Sequence, residues 1–126
     1  MRCFGQRVET DIDQFSRVAP GRNTAGAVHA SDLNYVFGTL NPAQVIPPGQ
    51  VQFNDVDARV SEAMQRYWTN FAKTGDPNGE GVPAWPRFDA KSAGYVEFTD
   101  DGAVVKQGLR SAPCAVFVEN VKRLSR

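Results

Sequence analysis

The sequence predicts an α/β segment: an incomplete sheet with a long amphipathic helix, a β-hairpin and a terminal helix. Three observations carry this. Val56, Val60, Met64, Tyr67 or Trp68, and Phe71 recur every three or four positions and give one apolar helical stripe. Two short β-prone runs, residues 95–98 and 103–106, flank the turn sequence Thr99-Asp100-Asp101-Gly102. A third β-prone run stands alone near residue 14, and one strand plus one hairpin do not complete a stable sheet.

The elements follow in order. Residues 1–13 are polar and mixed, with no period. Residues 14–18, Gln-Phe-Ser-Arg-Val, read as a short strand stopped by Pro20-Gly21. Residues 19–34 read as a loop rich in Gly, Asn and Thr. An apolar run at 33–37 is closed by Gly38, and Asn41-Pro42 and Pro47-Pro48-Gly49 mark an irregular connection. The long helix opens at Asn54 or Asp55, whose side-chain oxygen suits the free amides of a first turn, and Asp57 adds negative charge there. Glu62 and Arg66 lie four apart on the polar face. Gly75 and Pro77 end the helix after Lys73-Thr74. Residues 76–94 form a Pro- and Gly-rich loop anchored by Trp85 and Phe88. The hairpin comes next. Beyond Pro113, residues 114–124 place Phe117, Val121 and Leu124 on one side of a terminal helix, with Lys122, Arg123 and Arg126 near its C-terminal end.

Composition narrows the function. The 126 residues carry 14 basic and 14 acidic side chains, so no global basic field draws in nucleic acid or anionic membrane. Hydrophobic residues make up 41%, enough for a packed core. No apolar run reaches the 18 or so residues a membrane helix needs, and the N-terminus has no signal-peptide pattern. The compartment is left open. The two cysteines, Cys3 and Cys114, fit no metal-ligand spacing, and one histidine makes a zinc site unexpected. Free buried thiols are the simpler reading, with a disulfide between the two left open. Gly79-Glu80-Gly81-Val82-Pro83-Ala84 matches a loose GxGxxA, but no strand precedes it and Pro83 blocks a helix. No cofactor and no metal are therefore expected.

The chemistry centres on His29, set in a loop where catalytic side chains commonly sit. Gly26-Ala27-Val28-His29-Ala30-Ser31-Asp32 leads into Tyr35-Val36-Phe37-Gly38. Two more blocks follow: Tyr67-Trp68-Thr69-Asn70-Phe71-Ala72-Lys73-Thr74-Gly75-Asp76-Pro77-Asn78, then Pro83-Ala84-Trp85-Pro86-Arg87-Phe88-Asp89. In this order and spacing they resemble the type-B carboxylesterases, the group of the bacterial para-nitrobenzyl esterases and the cholinesterases. The resemblance covers about residues 14–124. It implies the C-terminal part of an α/β-hydrolase fold over 14–126, with residues 1–13 as an extension outside the family pattern.

It also implies a role for His29. The hydrolase triad runs Ser, then Asp or Glu, then His, so a C-terminal segment holds only the histidine. His29 would take the proton of a serine hydroxyl and hand it to the leaving alcohol of a carboxylic ester. Asp32 is not the triad acid by family position; it is expected to brace the histidine loop through hydrogen bonds. None of the six serines lies in a Gly-x-Ser-x-Gly elbow, and no His-Gly-Gly oxyanion loop is present. Ala90-Lys91-Ser92-Ala93-Gly94 comes nearest, but in the wrong context and order. The expected protein is thus a histidine-bearing piece of a serine esterase, inactive alone, prone to self-association or to pairing with a complementing upstream fragment. The alternative is a non-catalytic remnant or interaction module of the same superfamily.

Overall fold

The computed structural model describes residues 11–45 and 47–125. Cys3, Arg126 and most of the 1–13 segment lie outside the described residues. Strand β1 spans Asp13–Phe15, helix α1 Leu33–Val36, helix α2 Asp55–Thr74, strands β2 and β3 Gly94–Thr99 and Gly102–Gln107, and helix α3 Ser111–Leu124. A 3-10 turn at Pro42–Gln44 lies between α1 and α2. The three strands form one sheet in the order β1-β2-β3, with β1 parallel and β3 antiparallel to β2.

Helix α2 is built from local signals. Asn54 is its cap: the side chain accepts from the amides of Val56 and Asp57, and the Asp57 carboxylate accepts the Asn54 N–H in return. Gly75 ends it in the left-handed region, φ 76°, donating its N–H to the carbonyl of Phe71. Its stripe packs on the β2–β3 hairpin. Val60, Met64 and Tyr67 join Tyr35, Trp85, Val96 and Phe98 in the main core. Tyr67 meets Trp85 edge-on at 4.9 Å between ring centres, a favourable aromatic geometry. Phe71, at the end of the same stripe, is 54% exposed. The hairpin closes through Gly102, whose φ of 94° few other residues adopt readily.

Four features differ from the sequence expectation. β1 is shorter than residues 14–18: after Ser16 donates its N–H to the carbonyl of Phe98, Arg17 turns away from the ladder toward an ion pair. The apolar run at 33–37 is a single helical turn, α1, whose Tyr35 is buried. Helix α3 begins at Ser111 and passes through Pro113, which the first turn tolerates because amides there have no intrahelical acceptor. No residue of α3 is buried; Val116, Phe117 and Leu124 all stand exposed. Cys114 on this helix is disulfide-bonded, which sets aside the free-thiol reading. No helix among the described residues is long and apolar enough to cross a membrane.

Candidate active site

His29 sits at the corner of a tight turn on the surface. The Ser31 N–H donates to the Val28 carbonyl at 3.1 Å, and the Val28 N–H donates to Ser31 Oγ at 3.1 Å. Ala30 follows in the left-handed region at φ 62°. An L-residue with a Cβ is held there at a cost of about 1–2 kcal/mol. Such strain beside a candidate catalytic group is a pointer to function. The imidazole is exposed and has no hydrogen-bond partner among the described residues.

Asp32 braces the loop differently from expectation. Its backbone carbonyl accepts the N–H groups of Tyr35 and Val36 at 2.9 and 3.0 Å and starts α1, while its carboxylate caps nothing. Desolvation first, and then the charge of Asp32, hold the Asp13 carboxyl above its ordinary range.

A polar network with no signature in the sequence anchors α1, the helical turn that follows the His29 loop. Asp57, fully buried, accepts Arg17 Nε at 2.8 Å, Arg17 Nη2 at 3.0 Å and the Tyr35 hydroxyl at 2.6 Å. Arg17 also donates to Asp100 Oδ1 at 2.8 Å, reaching the hairpin turn. Ser61 Oγ donates to the Tyr35 carbonyl at 2.7 Å. Asp57 thus joins α1 and α2 to Arg17 at the end of β1, and Arg17 carries the link on to the hairpin turn. Desolvation alone would raise the Asp57 carboxyl. The hydrogen bonds from Arg17, Tyr35 and Asn54, with the Arg17 charge, outweigh it and hold the group below its usual range. Burial, then the Asp57 contact, pushes the Tyr35 phenol up. The signal available in sequence was the spacing of Asn54 and Asp57, which marks a capping carboxylate but says nothing of an arginine 40 positions away.

The remaining motifs are structural. Ser92 Oγ donates to Asp89 Oδ2 at 3.2 Å in a local turn. The Asp76-Pro77-Asn78 stop works as a staple: Asn78 accepts the Trp85 N–H at 2.6 Å and donates to the Trp85 carbonyl at 3.1 Å. Gly79 packs so closely on Asn70 that an added Cβ would lie 2.5 Å from its Nδ2, which accounts for a glycine there without a nucleotide. Among the described residues no cluster of three or more His, Cys, Asp or Glu side chains is placed to hold a metal.

Comparison with known proteins decides the family: the model of the carboxylesterase family matches residues 4–117. The chain belongs to the carboxylesterase family. This carboxylesterase-family chain is 42% identical to human bile salt-activated lipase over 91 residues, covering 68% of the chain and 11% of that protein. It is 34% identical to phenmedipham hydrolase of Pseudarthrobacter oxydans over 97 residues, 76% of the chain and 20% of that protein. Among solved structures, a Geobacillus stearothermophilus carboxylesterase matches with a TM-score of 0.66 and 25% identity, covering 82% of this chain and 21% of that one. A thermophilic PNB esterase matches with a TM-score of 0.66 and 26% identity, over 80% and 20% of the two chains. The architecture is therefore part of the α/β-hydrolase fold. The chain spans about a tenth to a fifth of the length of these relatives.

Proposed function

We propose that the chain is the C-terminal portion of a serine carboxylic-ester hydrolase and supplies its triad histidine, His29. The observation that carries this is the placement of the one histidine in the chain. It stands exposed on a strained turn, inside the Gly-Ala-Val-His29 block that resembles the family's histidine segment. In this role the neutral ring accepts the serine proton as the hydroxyl attacks the ester carbonyl. The imidazolium then gives that proton to the departing alcohol, and water repeats the sequence on the acyl-serine. The nucleophile, the triad acid and the oxyanion donors come from outside these 126 residues, so the isolated chain does not turn over ester. The outward apolar side chains Phe71, Val116, Phe117 and Leu124, and the unpaired edge of β1 among the described residues, suit contact with the rest of such a domain or with a second copy.

Two assays test this. The purified chain and its His29→Ala variant should hydrolyse p-nitrophenyl butyrate at the same background rate; turnover lost only in the variant would mean a nucleophile lies within the chain. A chimera carrying residues 14–117 in place of the matching segment of the PNB esterase should hydrolyse the ester. With His29→Ala it should lose at least about a thousandfold in kcat, as removal of a triad member does. A folded chimera indifferent to His29 would refute the assignment.

A further inference from the structure

We propose that a cavity beside the histidine turn binds a small aliphatic carboxylate, with Arg22 as its charged anchor. The cavity measures about 250 Å³ and is lined by Arg22, Thr24, Val28, Val45, Gln50 and Val51, among others. It is smaller than the 300–1,000 Å³ typical of sites for drug-sized ligands, so its occupant is small.

Backbone contacts build its walls. The Gln52 N–H donates to the Pro20 carbonyl at 2.8 Å, and Gly21 lies so close to Gln50 that an added Cβ would stand 2.1 Å from the Gln50 carbonyl oxygen. Beneath it, Ala19, Val45 and Val51 form a small buried cluster. The cavity is thus a fixed feature between two chain segments that lock together.

Its chemistry is asymmetric. Arg17, the other arginine in this region, is neutralised by Asp57 and Asp100. Arg22 is half-buried, and its guanidinium has one hydrogen bond among the described residues, a long one of 3.4 Å to Ser31 Oγ. A partly desolvated guanidinium without a carboxylate partner is an anion site, and its planar fork fits a carboxylate through two parallel bonds. Val28, Val45 and Val51 offer the apolar side that an alkyl chain fills. Ser31 Oγ, which accepts from Arg22, also accepts the Val28 N–H, so the anchor is joined to the turn that carries His29. Identifying the natural ligand as the acid released by ester hydrolysis rests on the proposed function; binding itself does not.

Phenylglyoxal modification of the full chain, read residue by residue by peptide mass spectrometry, tests the site with butyrate as probe. With a dissociation constant of about 10 mM, 50 mM butyrate leaves about one sixth of the sites free and slows modification of Arg22 about sixfold. Arg59, exposed on α2, serves as the internal control and should react at an unchanged rate. Butan-1-ol, which lacks the charge, should give no protection. Thr24→Glu, which puts a competing carboxylate at the exposed rim, should abolish the effect, while His29→Ala should keep it. An unchanged Arg22 rate, equal slowing at Arg59, or equal protection by butan-1-ol would overturn the proposal. Protection that persists in His29→Ala beside a chimera indifferent to His29 would sink the catalytic reading and leave this site standing.

Discussion

Replacing Asp57 by alanine is the sharpest perturbation of the polar network that anchors α1. The change removes the acceptor for two Arg17 bonds, the Tyr35 hydroxyl and the Asn54 N–H. Arg17, only 6% exposed, would keep Asn54 Oδ1 and the solvent-facing Asp100. Breaking one side of a buried ion pair costs about 3–5 kcal/mol, and half of a capping box is lost with it. We expect a loss of about 4 kcal/mol, a large share of the 5–15 kcal/mol that a domain usually has. Urea unfolding followed by the fluorescence of Trp68 and Trp85 measures it. With a slope of about 2 kcal/mol/M the midpoint should fall by about 2 M. A loss under about 1 kcal/mol at unchanged slope would mean that the carboxylate is not the hub described above. The pH dependence gives a second test. The folded Asp57 carboxyl lies below its unfolded value, so its contribution is complete above about pH 4 and is lost as the pH falls through the depressed folded value. Asp57→Asn should remove that part of the acid slope; an unaltered slope would assign the acid sensitivity to other carboxylates.

Three further outcomes follow from the packing. Gly21→Ala drives a Cβ against the Gln50 carbonyl at 2.1 Å from a φ of 85°, so it should destabilise by about 2–4 kcal/mol in the same urea assay; a neutral result would contradict the close approach. Ala30→Gly relieves the φ of 62° but loosens the unfolded chain, so stability should change by between zero and a gain of about 1 kcal/mol. A loss above that would place Ala30 outside the left-handed region. Phe98→Ala empties a fully buried site in the core and should cost about 3–5 kcal/mol, whereas His29→Ala, exposed on its turn, should shift stability by under about 0.5 kcal/mol.

The sequence by itself determined the elements that depend on neighbours in the chain. The stripe from Val60 to Tyr67, the Asn54 cap and the Gly75 stop are local, and α2 spans Asp55–Thr74 as they require. The hairpin around Gly102 is local in the same way. The ordered motif blocks identified the carboxylesterase family, which the comparison with residues 4–117 shows. What the tertiary structure alone decided is how distant polar groups meet. Asp57 reads in sequence as a charge for the helix dipole, yet it is the buried partner of Arg17 and Tyr35. Arg22 lies outside every motif block, yet it lines a cavity and bonds Ser31 of the His29 turn. The physical reason is that periodicity and capping record which face of an element is apolar, whereas ion pairing depends on which ends the fold brings together. No local pattern encodes a contact between residues 17, 57 and 100.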